Sequence, residues 1–383
     1  MFKPRLLTPG PTPVPEETLL DLARPVHYHR SPEAKKILSD VLTGLHEVLQ
    51  TQHDIVPLTC SGTGAVEAAQ VNTVAPGKKA ICVHAGRFAE RWVKIWQQFG
   101  VEVVSVAAPW GQAVQPDQLQ SALQAHPDAQ AVLAVHSETS TGVKHDIQAM
   151  AQIVSATPAI FIVDAISSAG AMECRTQDWQ IDMLCTGSQK ALMAPPGLAF
   201  VTISPKAIAK MEAIQRPSTY YLDLRRARQK ILEMDTPFTP AHTLLRALKV
   251  SLNRLCSEGM VNVWRRHRRM AAAARAGLRA MGLANYAHPP AESLTTVQVP
   301  DGIDGSKLLS QLEARFGLKL AGGQDQLKGK IIRLSHMGYV DFFDILAALS
   351  GLEQVLHDLG HRCEWGQGLT AAQATFASYT ESV

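Results

Sequence analysis

A chain of 383 residues exceeds one ordinary hydrophobic core and implies two domains. Its composition, 46% hydrophobic and 19% charged, is that of a globular protein. A formal net charge of +3 is nearly neutral at this length, which argues against charge-driven binding to nucleic acid or a membrane surface.

Residues 4–32 are punctuated by proline, above all in Thr8-Pro9-Gly10-Pro11-Thr12-Pro13-Val14-Pro15. Proline fixes φ, so this stretch is expected to be an extended arm running over a surface. His27, Tyr28, His29 and Arg30 follow. Two histidines at i and i+2 with no third ligand nearby suggest a loop at the edge of a site rather than a metal centre. Helical periodicity occupies residues 32–50. From Asp54 the pattern alternates, with strands expected at 55–59, 80–84, 101–106, 131–136, 159–164 and 181–185. Helices are expected at 65–74, 88–99, 116–125 and 146–155. Short, apolar, β-branched strands separated by helices indicate a mostly parallel sheet covered on both faces.

The register changes after Pro205. Residues 220–224 lead into a helix, Thr236-Pro237-Phe238-Thr239-Pro240 follows, and long helices are expected at 241–257 and 259–281. The basic run Trp264-Arg265-Arg266-His267-Arg268-Arg269 is read as the wet face of the second of these. A smaller α/β unit follows, with strands at 293–299 and 330–335 and helices at 305–316 and 342–359. Residues after Gly360 read as a loose tail. The expected division is an N-terminal arm over 1–25, a large domain over 26–258, and a small C-terminal domain with its tail over 259–383.

The six cysteines form no CxxC pair and show no zinc-ligand spacing, so no metal site is expected and a reducing compartment fits. The N-terminus lacks the apolar run of a signal peptide, and no stretch is long enough to span a membrane. The expectation is a cytoplasmic protein.

In an open α/β sheet, ligands bind beyond the carboxyl ends of the strands. Four features fall there. Ser61-Gly62-Thr63-Gly64 opens a helix, whose free N–H groups and dipole favour a phosphate. Phe88 opens the next helix and offers a ring to stack on. Asp164 ends the apolar run 159–163, where a carboxylate needs a partner. Lys190 follows the strand at 181–185 and offers an amine for imine formation. Taken singly, three of these have an ordinary explanation: the Gly-rich loop is just a turn, Asp164 is an N-cap or a core carboxylate paired with an arginine, and Lys190 is a solvated surface charge. Taken together they describe a binding place for a phosphate, a flat ring, a pyridine nitrogen and an aldehyde, the parts of pyridoxal phosphate.

The segment Thr186-Gly187-Ser188-Gln189-Lys190-Ala191-Leu192-Met193-Ala194-Pro195-Pro196-Gly197 resembles the Schiff-base lysine segment of class V aminotransferases. The alanine–glyoxylate and serine–glyoxylate (serine–pyruvate) branch is the nearest in pattern. Residues 8–15 resemble that branch's arm, and Ser61-Gly62-Thr63-Gly64-Ala65-Val66-Glu67-Ala68 its phosphate loop. His136-Ser137-Glu138-Thr139-Ser140-Thr141-Gly142 and Val163-Asp164-Ala165-Ile166-Ser167-Ser168 resemble two further motifs. The resemblance covers residues 4 to about 358. It implies a fold-type I transferase, with a large domain built on a mostly parallel seven-stranded sheet and a smaller C-terminal α/β domain.

It also implies roles. Lys190 would be the Schiff-base lysine and the proton shuttle, and Asp164 the partner of the pyridine nitrogen. Ser61, Gly62 and Thr63 would hold the phosphate, and Phe88 would stack on the ring, where this branch often has Trp. Thr139 would lie by the ring hydroxyl, and Gln189 by the phenolic oxygen or phosphate. Thr239 would reach the phosphate in the neighbouring subunit, making a homodimer with active sites at the interface. Arg333 would bind the substrate α-carboxylate, a task its planar fork suits. Gly10 and Tyr28 would contact substrate. The implied reaction is a ping-pong transfer from a small amino acid, alanine or serine, to glyoxylate or another small 2-oxo acid. Two alternatives stand beside it. One is a lyase or desulfurase, for which Cys363 is the only late cysteine. The other is a non-catalytic subunit of a redox complex, since members resembling this branch have been labelled soluble-hydrogenase subunits.

Overall fold

The computed structural model describes residues 2–215 and 217–380. Its centre is a seven-stranded sheet. In spatial order the strands are Asp54–Leu58, Ala199–Ile203, Met183–Gly187, Ile160–Asp164, Ala131–Val135, Lys79–His84 and Glu102–Ala107. All paired neighbours are parallel except Ala199–Ile203, which runs antiparallel to both strands beside it. Sequence reading omits that strand, although Pro195-Pro196-Gly197 is a turn signal just before it. Pro57, which cannot donate to a ladder, lies in an edge strand, where its missing N–H costs nothing.

The inner strands Ala131–Val135, Ile160–Asp164 and Met183–Gly187 are buried along their whole length, as a sheet with two covered faces requires. Helix α1 spans Glu16–Leu22, α2 Pro32–Val48, α3 Gly62–Thr73 and α4 Arg87–Gln98. One face of the sheet packs Phe161 and Phe200 against α2 and helix His242–Glu258. The other packs Cys82, Leu133 and Ile162 against α3 and α4, including Trp92 and Trp96.

A separate core serves the C-terminal unit, where Leu294–Gln298, Ile331–Ser335 and Ala321–Gly322 form a three-stranded antiparallel sheet. The arm is not wholly extended. Arg5–Leu6 pairs with Leu318–Lys319, and then α1 forms and docks on helix His242–Glu258 through a buried Asp21–Arg246 ion pair at 2.7 Å.

Nor is the C-terminal segment a loose tail. Gln367–Ser378 is a helix lying along Met260–Ala280. Arg269 explains the docking: its Nε donates to Phe376 O at 2.6 Å, and its guanidinium lies 3.7 Å from the Phe376 ring centre. Small residues make the approach close, since a Cβ on Gly277 would meet Gly368 O at 2.8 Å. The basic run is likewise more than a wet face. Trp264 and His267 point into the core, and His267 Nε2 accepts the Gly338 N–H at 3.1 Å.

Candidate active site

The carboxyl ends of five parallel-running strands meet at one cleft of about 290 Å³. It is lined by Gly10, Ser61, Gly62, Thr63, Phe88, Thr139, Asp164, Gln189 and Lys190, so nine residues singled out by sequence come together. The arm closes over one side. Thr12 N donates to Gln189 O at 3.1 Å, Thr12 Oγ1 to Lys190 O at 2.8 Å, and the Lys190 amine to Pro9 O. Gly10 has φ +133, and a side chain there would collide with that amine, which is why the arm carries glycine at its closest approach.

Lys190 and Asp164 share the floor of the cleft. Desolvation brings the Lys190 amine down to about 8; Asp164 opposes this shift and Arg333 adds to it. About a tenth of the amine is then neutral at pH 7, far more than for an ordinary lysine, which is what a nucleophilic or proton-carrying lysine needs. Desolvation pushes Asp164 up to about 6, and the nearby Glu138 adds to it. The Ile166 N–H donates to Asp164 Oδ1 at 2.9 Å, and the Trp92 indole N–H to Oδ2 at 2.9 Å. Both bonds favour the ionised carboxylate, and Lys190 does the same.

Two helix N-termini point at the cleft. That of α4 is filled from within. Glu138, fully buried, accepts the Phe88 N–H at 3.2 Å and the Ala89 N–H at 3.1 Å. It also accepts the Ser140 N–H and hydroxyl. That of α3 is not filled. Ser61 holds N-cap geometry, yet its hydroxyl caps nothing; at α2 the Ser31 hydroxyl accepts Ala34 N–H. Gly62 has no room for a side chain, because a Cβ would meet Ile166 Cδ1 at 2.6 Å.

The donor set fits pyridoxal phosphate. An uncapped helix N-terminus meets an anion, and the ionised Asp164 meets a protonated ring nitrogen. The buried Gln189 Oε1 has no partner among the described residues, so this amide is left for a ligand oxygen once rotated.

Arg333 is buried and does not itself line the cleft wall. It reaches the same end of the site by donating to Thr139 O at 2.8 Å and to Gly322 O at 2.7 Å. Desolvation lowers it to about 10, with Arg87 adding to the shift and Glu138 opposing it. Tyr28 and Thr239 lie outside the cleft lining, and both are exposed. Cys363 is also outside it, beside His357 Nε2 at 3.6 Å, with its thiol pushed up by burial. Sequence reading misses Trp92, Arg91 and the role of Glu138. Phe88, Arg91 and Trp92 stand at i, i+3 and i+4 of one helix, the spacing that puts three side chains on one face.

Residues 20–345 match the profile of the aminotransferase class-V family, and the chain belongs to that family. It is a fold-type I, pyridoxal-phosphate-dependent aminotransferase. Among curated relatives, it is 40% identical to a protein named soluble hydrogenase, small subunit, from Synechococcus sp. (strain PCC 6716), over 98% of this chain and 99% of the other. It is 36% identical to an L-aspartate–glyoxylate aminotransferase of Paracoccus denitrificans, over 98% and 96%. Among solved structures, pyridoxamine–pyruvate aminotransferase from Mesorhizobium loti superposes with a TM-score of 0.94 at 30% identity, over 99% and 100% of the two chains.

Proposed function

We propose that this enzyme moves an amino group from a small amino acid, alanine or serine, to glyoxylate or another small 2-oxo acid. The carrying observation is one cleft in which a desolvated lysine amine, a buried carboxylate and an uncapped helix N-terminus meet. When bound, pyridoxal phosphate supplies an aldehyde carbon and an electron-withdrawing ring. The chain supplies the rest. Lys190 would hold the aldehyde end of the cofactor, and its neutral amine, once free, would carry the substrate α-proton. Asp164, whose oxygens accept the Ile166 N–H and the Trp92 indole N–H, would keep the ring nitrogen protonated. Ser61, Gly62 and Thr63 would hold the phosphate, Phe88 would cover the ring, and Gln189 and Thr139 would address its oxygen. Arg333 would receive the α-carboxylate and Gly10 would bound the substrate side, whereas Tyr28, exposed and outside this cleft, would meet substrate only in the site of a neighbouring protomer.

We also propose the division into arm, large domain and small domain near residues 25 and 258, a cytoplasmic location, and a homodimer with Thr239 crossing to the neighbouring site. Its exposure on one protomer supports the last point. No helix among the described residues is long and apolar enough to cross a membrane.

The test is a donor and acceptor panel on purified enzyme loaded with pyridoxal phosphate. L-alanine, L-serine and L-aspartate should each be tried with glyoxylate and pyruvate, with products measured directly. The Paracoccus relative's name is the reason to include aspartate. Glycine formed from glyoxylate with alanine or serine supports the proposal. Turnover confined to aspartate, or sulfide release from cysteine, overturns the donor assignment. No turnover with any pair, together with co-purification of a redox partner, favours the subunit reading whose name two relatives carry.

A further inference from the structure

Arg91 is a cation without a carboxylate partner among the described residues. The two acids beside it are engaged elsewhere: Glu90 accepts from the Trp110 indole at 3.1 Å, and Asp325 pairs with Arg87 at 3.2 Å. The Arg91 guanidinium instead turns to the start of α3, where Nη1 donates to Thr63 Oγ1 at 3.2 Å. It lies 5.2 Å from the Phe88 ring centre, and its side chain lines the same cleft as Lys190 and Asp164. So the residue at i+3 from the ring-covering Phe88 faces the loop that the proposed function gives to the phosphate.

Charge makes this placement meaningful. A phosphate monoester carries about −1.5 to −2 charges near neutrality. A helix N-terminus offers roughly half a positive charge. Arg333, proposed for the substrate carboxylate, does not line the cleft and is anchored on Thr139 O and Gly322 O. The N-terminus of α3 alone therefore leaves a dianion largely uncompensated, and Arg91 is the cation positioned to complete it.

We propose that Arg91 is a phosphate-binding residue of the cofactor site, holding the monoester dianion together with Ser61, Gly62 and Thr63. This rests on the pyridoxal phosphate reading of the cleft. Arg91 leaves Thr63 Oγ1 free to donate to the phosphate while its remaining N–H groups reach phosphate oxygens. Its stacking on Phe88 ties the phosphate end to the ring-covering face, so α4 serves ring, phosphate and Asp164 from one stripe of residues.

The experiment compares pyridoxal phosphate with pyridoxal, which lacks only the phosphate, by equilibrium binding to the apo-protein of wild type, Arg91→Gln and Arg91→Lys. A thermal-shift titration of each apo-protein with inorganic phosphate runs beside it. The proposal expects Arg91→Gln to weaken pyridoxal phosphate about ten- to a hundredfold and to change pyridoxal less than about twofold. The stabilisation by inorganic phosphate should disappear in Arg91→Gln and partly return in Arg91→Lys. Equal weakening of both ligands would mean that Arg91 only supports Phe88, and would overturn the assignment. Unchanged pyridoxal phosphate affinity would overturn it too. Wild-type protein that binds neither ligand would instead defeat the cofactor reading on which the proposal stands.

Discussion

Two helix N-termini face the same cleft, and the chain treats them in opposite ways. At α4 the orphan N–H groups are taken by a buried carboxylate, Glu138, from the short hairpin after the neighbouring strand. At α3 the capping position holds Ser61, in the correct backbone conformation, with its hydroxyl unspent. Both ends obey one rule, that unsatisfied N–H groups and the helix dipole call for negative charge. The first need is met when the chain folds, and the second is left for a ligand. The difference separates residues that build the site from residues that bind. Substitutions at the α4 end should register in stability, and those at the α3 end in cofactor affinity.

The largest effect isolates the α3 end. Lys190→Ala should reduce transamination by about a thousandfold or more, and no borohydride-reducible link to residue 190 should form. The affinity that remains is what the non-covalent contacts, the phosphate end among them, provide unaided. If Lys190→Ala turns over at the wild-type rate, the assignment of the lysine fails. A pH series on the wild-type apo-protein sharpens the same point. Because Lys190 is lowered to about 8, the neutral amine grows as pH rises toward 8 and dominates above it. The rate of cofactor capture should rise with pH and level off above that point. A rise continuing toward the ordinary lysine range near pH 10.4 would show that the amine is not desolvated.

Next in size is Glu138→Gln. The substitution keeps the shape, but it turns one arm of the acceptor into a donor that faces backbone N–H groups. A loss of about 2–3 kcal/mol is expected, roughly 2.5–4 °C in melting temperature, with cofactor affinity changing less than in Ser61→Ala. Ser61→Ala is the mirror experiment. It should leave stability within about 0.5 kcal/mol, because the hydroxyl caps nothing, and weaken pyridoxal phosphate roughly tenfold. If both variants lose stability and neither loses affinity, the contrast between the two helix ends is wrong.

The contrast was only half visible in the sequence. Ser61-Gly62-Thr63-Gly64 announces the open end by its small residues, and Asp164 and Lys190 announce themselves as polar groups closing apolar strands. These signals are local and depend on no distant part of the chain. Glu138 was seen only as part of a motif, because its partners lie some fifty residues away at Phe88 and Ala89. Trp92 lies in the core, and nothing in its sequence neighbours says that its indole N–H ends on Asp164. The helix Gln367–Ser378 was missed for a related reason. Its Ala, Gly and Thr content lacks a strong apolar stripe, and it is held by small-residue contact and by Arg269 from a distant helix. The alternation of strands and helices, by contrast, sets the sheet with little tertiary help.

The smallest effect concerns Thr239, which is exposed on one protomer and proposed to serve the neighbouring site. Thr239→Ala should weaken pyridoxal phosphate only about two- to fivefold, the scale of one hydrogen bond shared with several others. So small a change cannot by itself tell a cross-subunit contact from a general loosening, but mixed dimers can. Pair one chain carrying Lys190→Ala with one carrying Thr239→Ala. The intact lysine then sits in the chain that lacks Thr239, while the other chain still has its threonine. If Thr239 crosses the interface, that site regains wild-type affinity, because the dead protomer donates the missing hydroxyl. If Thr239 serves its own site, the affinity stays two- to fivefold weak in the mixed dimer as in the parent variant. A protein that remains monomeric at working concentrations would remove the premise. The α3 end would then be completed within one chain, and the unspent Ser61 hydroxyl and Arg91 would have to carry the phosphate without help from a second copy.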